Sequence, residues 1–180
     1  MKAITYLKGD ATVPRFVNGA TTVICHCCNA FGGWGRGFVI PLGLKYPQAK
    51  IDYINFCRPY QTSNVKRNEL MGSVCLSKVN DNLYVANLIG QYYYSKNQRD
   101  YSQTFGVEPE FLPTQNGRFV SYDSIRLGFR KLVSLMNEVK FSVQMPKMGC
   151  GLAGGDWKII EKIIIEELCS NDIEVTIYEL

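Results

Sequence analysis

Residues 23–38, VICHCCNAFGGWGRGF, combine several groups that could carry out chemistry. They include the one histidine of the chain, His26, together with three cysteines and four glycines. A neutral imidazole can take a proton from water or attack phosphorus near neutral pH. A histidine inside an apolar strand is also commonly a core residue whose ring is satisfied by hydrogen bonds. The stretch therefore suggests a metal site, a redox pair, or a strand that delivers a catalytic group to an anion-binding loop.

The Cys25-His26-Cys27-Cys28 segment is a weak candidate for zinc or redox chemistry. A zinc site needs a second pair of ligands, and the chain has no other CxxC and no other histidine. A redox CxxC begins a helix, whereas this one ends a predicted strand and leads into glycines. Strand alternation places Cys25 and Cys27 on one face and His26 and Cys28 on the other. We therefore expect no metal and no cofactor.

Two glycine-rich segments each lie between a predicted strand and a predicted helix. The first spans residues 29–37 and the second spans residues 149–156, GCGLAGGD. In a parallel α/β sheet both leave the carboxyl ends of strands, where ligands bind. Glycine lets backbone N–H groups converge on an anion, and the following helix N-terminus adds a positive dipole end. Two such loops at one crevice suggest a pyrophosphate or doubly phosphorylated ligand; the alternative is that both are tight turns without a ligand.

The elements that position these loops follow from hydrophobic periodicity. Apolar runs predict strands at 4–7, 21–25, 73–79, 83–89, 141–145 and 174–178. Helical spacing occurs at 38–46, 49–57, 124–139 and 156–170, with Asp156 near the start of the last helix. Strands that alternate with helices predict an α/β layered fold with a mostly parallel sheet. Residues 91–120 are polar, aromatic and aperiodic, which is typical of a binding loop, a lid or a surface insertion.

Length and composition indicate one domain, at residues 1–180. The chain is 46% hydrophobic and 20% charged, and its net charge of +4 suits an anionic ligand without any dense basic tract. No apolar run could cross a membrane, and the first residues lack the apolar core of a signal peptide. The seven cysteines are scattered, mostly in apolar runs. We expect a reduced, monomeric, cytoplasmic protein, or one in the host cytoplasm if it is phage-encoded.

Taken together, the segments resemble a macrodomain, the ADP-ribose-binding module. The resemblance covers nearly the whole chain and is carried by KGDAT at 8–12, CN at 28–29, VANLIGQ at 85–91, MPKMGCGLAGG at 145–155 and VTIY at 175–178. It is closest to the branch with the yeast ADP-ribose 1″-phosphate phosphatase and the single-domain deacylating macrodomains of animals and phages. The family implies a three-layer α/β/α sandwich around a central mixed, mostly parallel six-stranded sheet. ADP-ribose is expected in the crevice at its top.

The resemblance also implies roles for individual residues. Asp10 would accept a hydrogen bond from the adenine amino group beside the Ala11 backbone, and Tyr178 would lie against the adenine. Asn29 would hold the distal ribose. Taken alone, Asp10 would be a turn cap and Tyr178 a core residue. The phosphates would be bound by residues of the two loops, namely Gly33, Gly35, Gly37, Gly149, Cys150, Gly151, Leu152, Ala153 and Gly154.

The phosphatase branch is understood to use a histidine just before the asparagine and an aspartate just after the second loop, which are His26 and Asp156 here. The implied reaction is hydrolysis of ADP-ribose 1″-phosphate, a by-product step of tRNA splicing or repair. Asp156 could equally be the N-cap of its helix. An enzyme that removes ADP-ribose from protein or nucleic acid, or a non-catalytic ADP-ribose reader, are the alternatives. No lysine here matches the nucleophile of the deacylating animal relative, and Phe31, Trp34 and Arg36 interrupt the first loop.

Overall fold

The computed structural model describes residues 1–94, 104–113, 118–151 and 153–179. Its strands are β1 (Ile4–Lys8), β2 (Thr21–Asn29), β3 (Val74–Asn80), β4 (Leu83–Gln91), β5 (Phe141–Pro146) and β6 (Glu174–Glu179). Its α-helices are α1 (Val39–Lys45), α2 (Pro47–Cys57), α3 (Asn64–Asn68), α4 (Tyr122–Leu135) and α5 (Trp157–Glu167). All six predicted strands are confirmed. β2 runs four residues further than predicted, α4 ends four residues earlier, and the short α3 was not predicted.

The sheet has the strand order β1-β6-β5-β2-β4-β3. β3 runs antiparallel to β4, and the other four strand pairings are parallel. The mixed, mostly parallel six-stranded sheet is therefore confirmed. β2 lies between β5 and β4, so the loops that follow β2 and β5 leave neighbouring strands at the same edge.

Helices cover both faces of the sheet and complete the three-layer α/β/α sandwich. On one face, α4 and α5 bury a stripe of apolar residues against alternate residues of the strands, among them Val23, Cys25, Ala86, Leu88, Val143 and Val175. On the other face, α1 and α2 pack against the intervening residues, among them Ile24, Cys28, Val85 and Ile89. A strand covered on both faces reads as a continuous apolar run, which is why β2 and β4 are so hydrophobic.

The four residues Cys25 to Cys28 alternate between these two faces as predicted. Cys25 and Cys27 pack toward α4 and α5, whereas Cys28 packs beside Tyr53 of α2. Cys25 and Cys28 therefore cannot bind one metal ion together or form a disulfide. All seven cysteines are free thiols.

Two local features shape the loops around the sheet edge. α1 stops at Tyr46 because the residue before a proline disfavours the helical region, and Pro47 then starts α2. Gln144 of β5 is buried and ties down the segment after β1, where its amide donates to the carbonyls of Ala11 and Val13 and accepts from the Arg15 N–H. None of the described helices has the length and apolar character needed to cross a bilayer.

Candidate functional site

A crevice of about 1170 Å³ opens where β2, β4 and β5 end. The ends of these strands and both glycine loops line it. Its described lining includes the cationic side chains of Arg36 and Lys147 and no carboxylate. A concave site with positive side chains and glycine-rich backbone favours an anionic ligand.

The first glycine loop is braced by the side chain of Asn29. Its Oδ1 accepts hydrogen bonds from the backbone N–H groups of Phe31 and Gly33, each at 3.0 Å, and its Nδ2 donates to the Gly33 carbonyl. A side chain at Gly33 would be crowded, because a Cβ there would lie 3.0 Å from the Tyr94 ring and 3.1 Å from Nδ2 of Asn29. Asn29 lines the crevice as predicted, but it holds the loop and keeps only one free N–H for a ligand.

The second glycine loop folds back on itself through a close backbone contact. The Gly155 N–H donates to the Gly149 carbonyl at 2.8 Å, and a Cβ on Gly155 would lie 2.5 Å from that oxygen. Gly149 and Gly154 both have positive φ, which favours glycine. Gly149, Gly151 and Ala153 line the crevice. The prediction for Leu152 lies outside the described residues.

Cys150 has the chemistry of a packed thiol. Burial raises its pKa to about 11, and the charge of Asp156 adds to the shift. Since the thiolate is the nucleophilic form, Cys150 is protonated and a poor nucleophile near neutral pH.

His26 lies on β2 at the floor of the crevice and is 2% exposed. Its Nε2 is 2.6 Å from Oδ1 of Asn87, and its ring packs against Trp34 of the first loop and Phe38 at the start of α1. Burial lowers the pKa of His26 to about 4, and the hydrogen bond to Oδ1 of Asn87 offsets part of this decrease. The imidazole is therefore neutral at neutral pH.

Asp156 is the N-cap of α5 and is exposed. Its Oδ1 accepts from the Lys158 N–H at 2.9 Å, and its own N–H donates to the Tyr122 hydroxyl. The capping interpretation is confirmed. Asp156 does not belong to the described lining of the crevice and makes no hydrogen bond to His26, so its catalytic role stays a prediction.

The residues expected to bind adenine lie together at the ends of β1 and β6. The Tyr178 ring is 3.6 Å from the Cβ position of Gly9, next to Asp10. Asp10 accepts from the Thr12 side chain and backbone, and from Lys45 Nζ at 2.9 Å. These hydrogen bonds lower the pKa of Asp10 to about 2, and the bond from the Thr12 hydroxyl contributes most. The pair lies outside the described crevice lining, and Asp10 is an ionised acceptor.

Several crevice residues were not predicted as site residues. They include Trp34, Phe38, Gln91, Tyr93, Tyr94 and Lys147. Two signals could have found some of them. Residues 91–94 begin the aromatic stretch that suggested a binding loop, and Lys147 directly follows β5. The predicted loop residues Gly35 and Gly37 also line the crevice.

These features define an α/β/α protein with an anion-suited crevice between two glycine loops, above the carboxyl ends of parallel strands.

No protein-family model matches the chain. It is 26% identical to an ADP-ribose 1″-phosphate phosphatase of Saccharomyces cerevisiae over the full length of both. A Bacteroides thetaiotaomicron protein of unknown function is 35% identical over 99% of this chain and 98% of its own, with a TM-score of 0.78. A Streptomyces coelicolor macrodomain protein is 29% identical over 99% of both chains, with a TM-score of 0.73.

The chain has the fold of a macrodomain and resembles a macrodomain protein over nearly its whole length. Its full-length relatives include ADP-ribose 1″-phosphate phosphatases of several yeasts, at 24–26% identity.

The buried neutral state of His26 predicts a specific pH dependence of stability. Above pH 6.5 the ring is neutral in both the folded and the unfolded chain. As the pH falls toward about 4, the unfolded chain binds a proton that the folded chain cannot bind, so the free energy of unfolding decreases. Urea unfolding at about pH 7.5 and about pH 4.5 should show a loss that is larger by about 2–3 kcal/mol in the wild type than in His26→Gln. Equal losses in the two proteins would contradict the buried neutral ring.

Proposed function

We propose that the protein is a phosphatase that hydrolyses ADP-ribose 1″-phosphate to ADP-ribose and phosphate, acting as a single domain over residues 1–180. One observation carries this proposal: His26 lines a crevice that contains both glycine loops and no described carboxylate. Full-length curated relatives from yeasts, which are named ADP-ribose 1″-phosphate phosphatases, support it.

The strand order suggests how an extended ligand would lie along the sheet edge. Asp10 follows β1, Tyr178 lies near the end of β6, the second loop follows β5, and His26 lies on β2. β1 and β2 are three strand spacings apart, or about 14 Å. Adenine would bind at Asp10 and Tyr178, the diphosphate would cross the second loop, and the distal ribose would reach the first loop. The terminal phosphate would then lie beside His26.

The chemistry follows from this placement. A water molecule attacks phosphorus and the bond from phosphorus to the 1″ oxygen breaks; one water proton ends on the sugar oxygen and the other water hydrogen stays on phosphate. Phosphoryl transfer depends mostly on positioning and on stabilising charge, which loop N–H groups can provide. The dianionic phosphate raises the pKa of His26 from its low value in the free protein, so the ring can accept the water proton once substrate is bound.

The direct test is phosphate release from ADP-ribose 1″-phosphate. We expect His26→Ala to lower kcat by about 10²–10⁴-fold while ADP-ribose still binds, as loss of a general base does. Cys25→Ala is the matched control, since Cys25 is buried on the same strand but on the opposite face. Asp156→Asn keeps a good N-cap and removes the charge, so it separates capping from proton donation.

Other outcomes would overturn the proposal. Tight ADP-ribose binding by the wild type without phosphate release would leave a reader or an ADP-ribosyl hydrolase acting on protein or nucleic acid. Full activity of His26→Ala would refute the catalytic role of the histidine.

Binding of ADP-ribose across the second loop predicts the effect of a single methyl group. Gly151 lines the crevice, and its Cβ position has no heavy atom of the described chain within 4 Å. Gly151→Ala should therefore fold with a stability within about 0.5 kcal/mol of the wild type. The methyl group should lower ADP-ribose affinity about tenfold or more, or about 1.4 kcal/mol. Calorimetric titration and urea unfolding check both numbers.

Gly155→Ala is the contrast, because its Cβ would clash with Gly149 and destabilise the fold. Unchanged affinity in Gly151→Ala would place the ligand elsewhere.

A further inference from the structure

Asn87 is a fully buried polar residue in the apolar strand β4, with 0% exposure. It pairs directly with His26 on the neighbouring strand β2. Both side chains point to the sheet face that α1 and α2 cover, where Asn87 lies near the Ala49 backbone. A polar side chain buried this deeply is expensive unless its hydrogen bonds are made.

The contacts of Asn87 fix the orientation of its amide. Its Nδ2 donates to the carbonyl of Ala49 at 3.2 Å. Since a carbonyl can only accept, the amide nitrogen must be on this side. The amide oxygen is therefore turned toward His26.

The amide orientation in turn fixes the tautomer of His26. Oδ1 of Asn87 lies 2.6 Å from Nε2, and an amide oxygen only accepts. Nε2 must therefore carry the proton. Because burial keeps the ring neutral, Nδ1 carries the lone pair.

Cys28 does not occupy that lone pair. Its Sγ is 3.6 Å from both Nδ1 and Nε2. A point at equal distances from the two nitrogens lies in the plane that bisects the ring through Cε1. At either nitrogen, the direction to such a point makes about a right angle or more with the direction in which a lone pair extends from the ring. The described residues show no other hydrogen bond to Nδ1.

We infer that Asn87 is a positioning residue that holds His26 as the Nε2–H tautomer and thereby makes Nδ1 the nitrogen that faces the phosphate in the reaction. Its catalytic meaning rests on the proposed phosphatase function, whereas the tautomer itself does not. The Asn87 amide leaves Nδ1 as the one hydrogen-bond acceptor of the neutral ring. Because the amide is itself neutral, it does so without placing a charge beside the ring.

Among the described residues, no charged group contributes to the pKa shift of His26, which comes from burial and from the bond to Asn87. Burial raises the pKa of Cys28 on β2, Cys75 on β3 and Tyr53 on α2, so all three are neutral near pH 7. Asp52 of α2 accepts hydrogen bonds from Ser77 and Gln48.

The tautomer can be read directly, because His26 is the single histidine of the chain. Protein labelled with ¹⁵N-histidine gives one pair of ring nitrogen signals by NMR. Between about pH 6 and pH 8 we expect Nε2 to be the protonated nitrogen and Nδ1 the unprotonated one. A protonated Nδ1, or averaged signals from two tautomers, would overturn the inference whether or not the protein is a phosphatase.

The functional consequence is tested by Asn87→Asp, with Asn87→Leu as a companion. A carboxylate at this position would stabilise the imidazolium, so both ring nitrogens should be protonated at neutral pH. Phosphate release at pH 7 should then fall about tenfold or more and recover as the pH is raised, with ADP-ribose affinity retained. Asn87→Leu should give mixed tautomers and lower turnover without a shifted pH profile.

Two results separate this inference from the proposed function. If Asn87 is merely structural, its substitution will lower turnover only in proportion to the folded fraction, and the pH profile of Asn87→Asp will be unshifted. That result would overturn the positioning role of Asn87. Tight ADP-ribose binding by the wild type without phosphate release would instead refute the proposed function, while the wild-type NMR signals would still decide the tautomer.

Discussion

The site depends on one constraint, the position of β2 between β5 and β4 in a sheet covered on both faces. Parallel pairing on both sides brings the carboxyl ends of β2 and β5 to the same edge, so both glycine loops border one crevice. The same pairing sets His26 opposite Asn87. A one-residue slip of β2 would turn His26 toward α4 and α5 and remove it from the site. That slip would bury His26 against the apolar cluster beneath α4 and α5, away from the Asn87 oxygen that now accepts its hydrogen bond.

This arrangement places polar groups where the fold would otherwise be apolar. His26 and Asn87 interrupt two of the most buried strands, and their mutual hydrogen bond offsets part of the cost of burying them. Burial also keeps the imidazole neutral until an anion approaches. Asn29 likewise holds the loop backbone that would bind phosphate. In both cases the hydrogen bonds that stabilise the apo protein also prepare the crevice for its ligand.

Much of this was predictable from local sequence, because strand alternation and helix periodicity are local signals. They predicted all six strands, the opposite faces of Cys25 and His26, and the edge where the two glycine loops meet. The partnership of His26 with Asn87 was not predictable, because it depends on the register between two strands. Asp156 was expected at the crevice but caps α5 outside its described lining, since sequence order after the loop does not give the direction of a side chain. α3 was missed because five residues carry too little periodicity.

The central claim is that the phosphate to be removed lies against Nδ1 of His26 at the end of β2. A crystal structure of the His26→Ala variant cannot show this contact, so the measurement is a structure of the wild-type protein with a non-hydrolysable analogue of ADP-ribose 1″-phosphate. We expect the adenine beside Asp10 and Tyr178, and a water molecule about 3 Å from Nδ1 that also lies about 3–3.5 Å from the terminal phosphorus, as attack by that water requires. A terminal phosphate bound elsewhere, or one that faces Nε2 with Asn87 displaced, would contradict it.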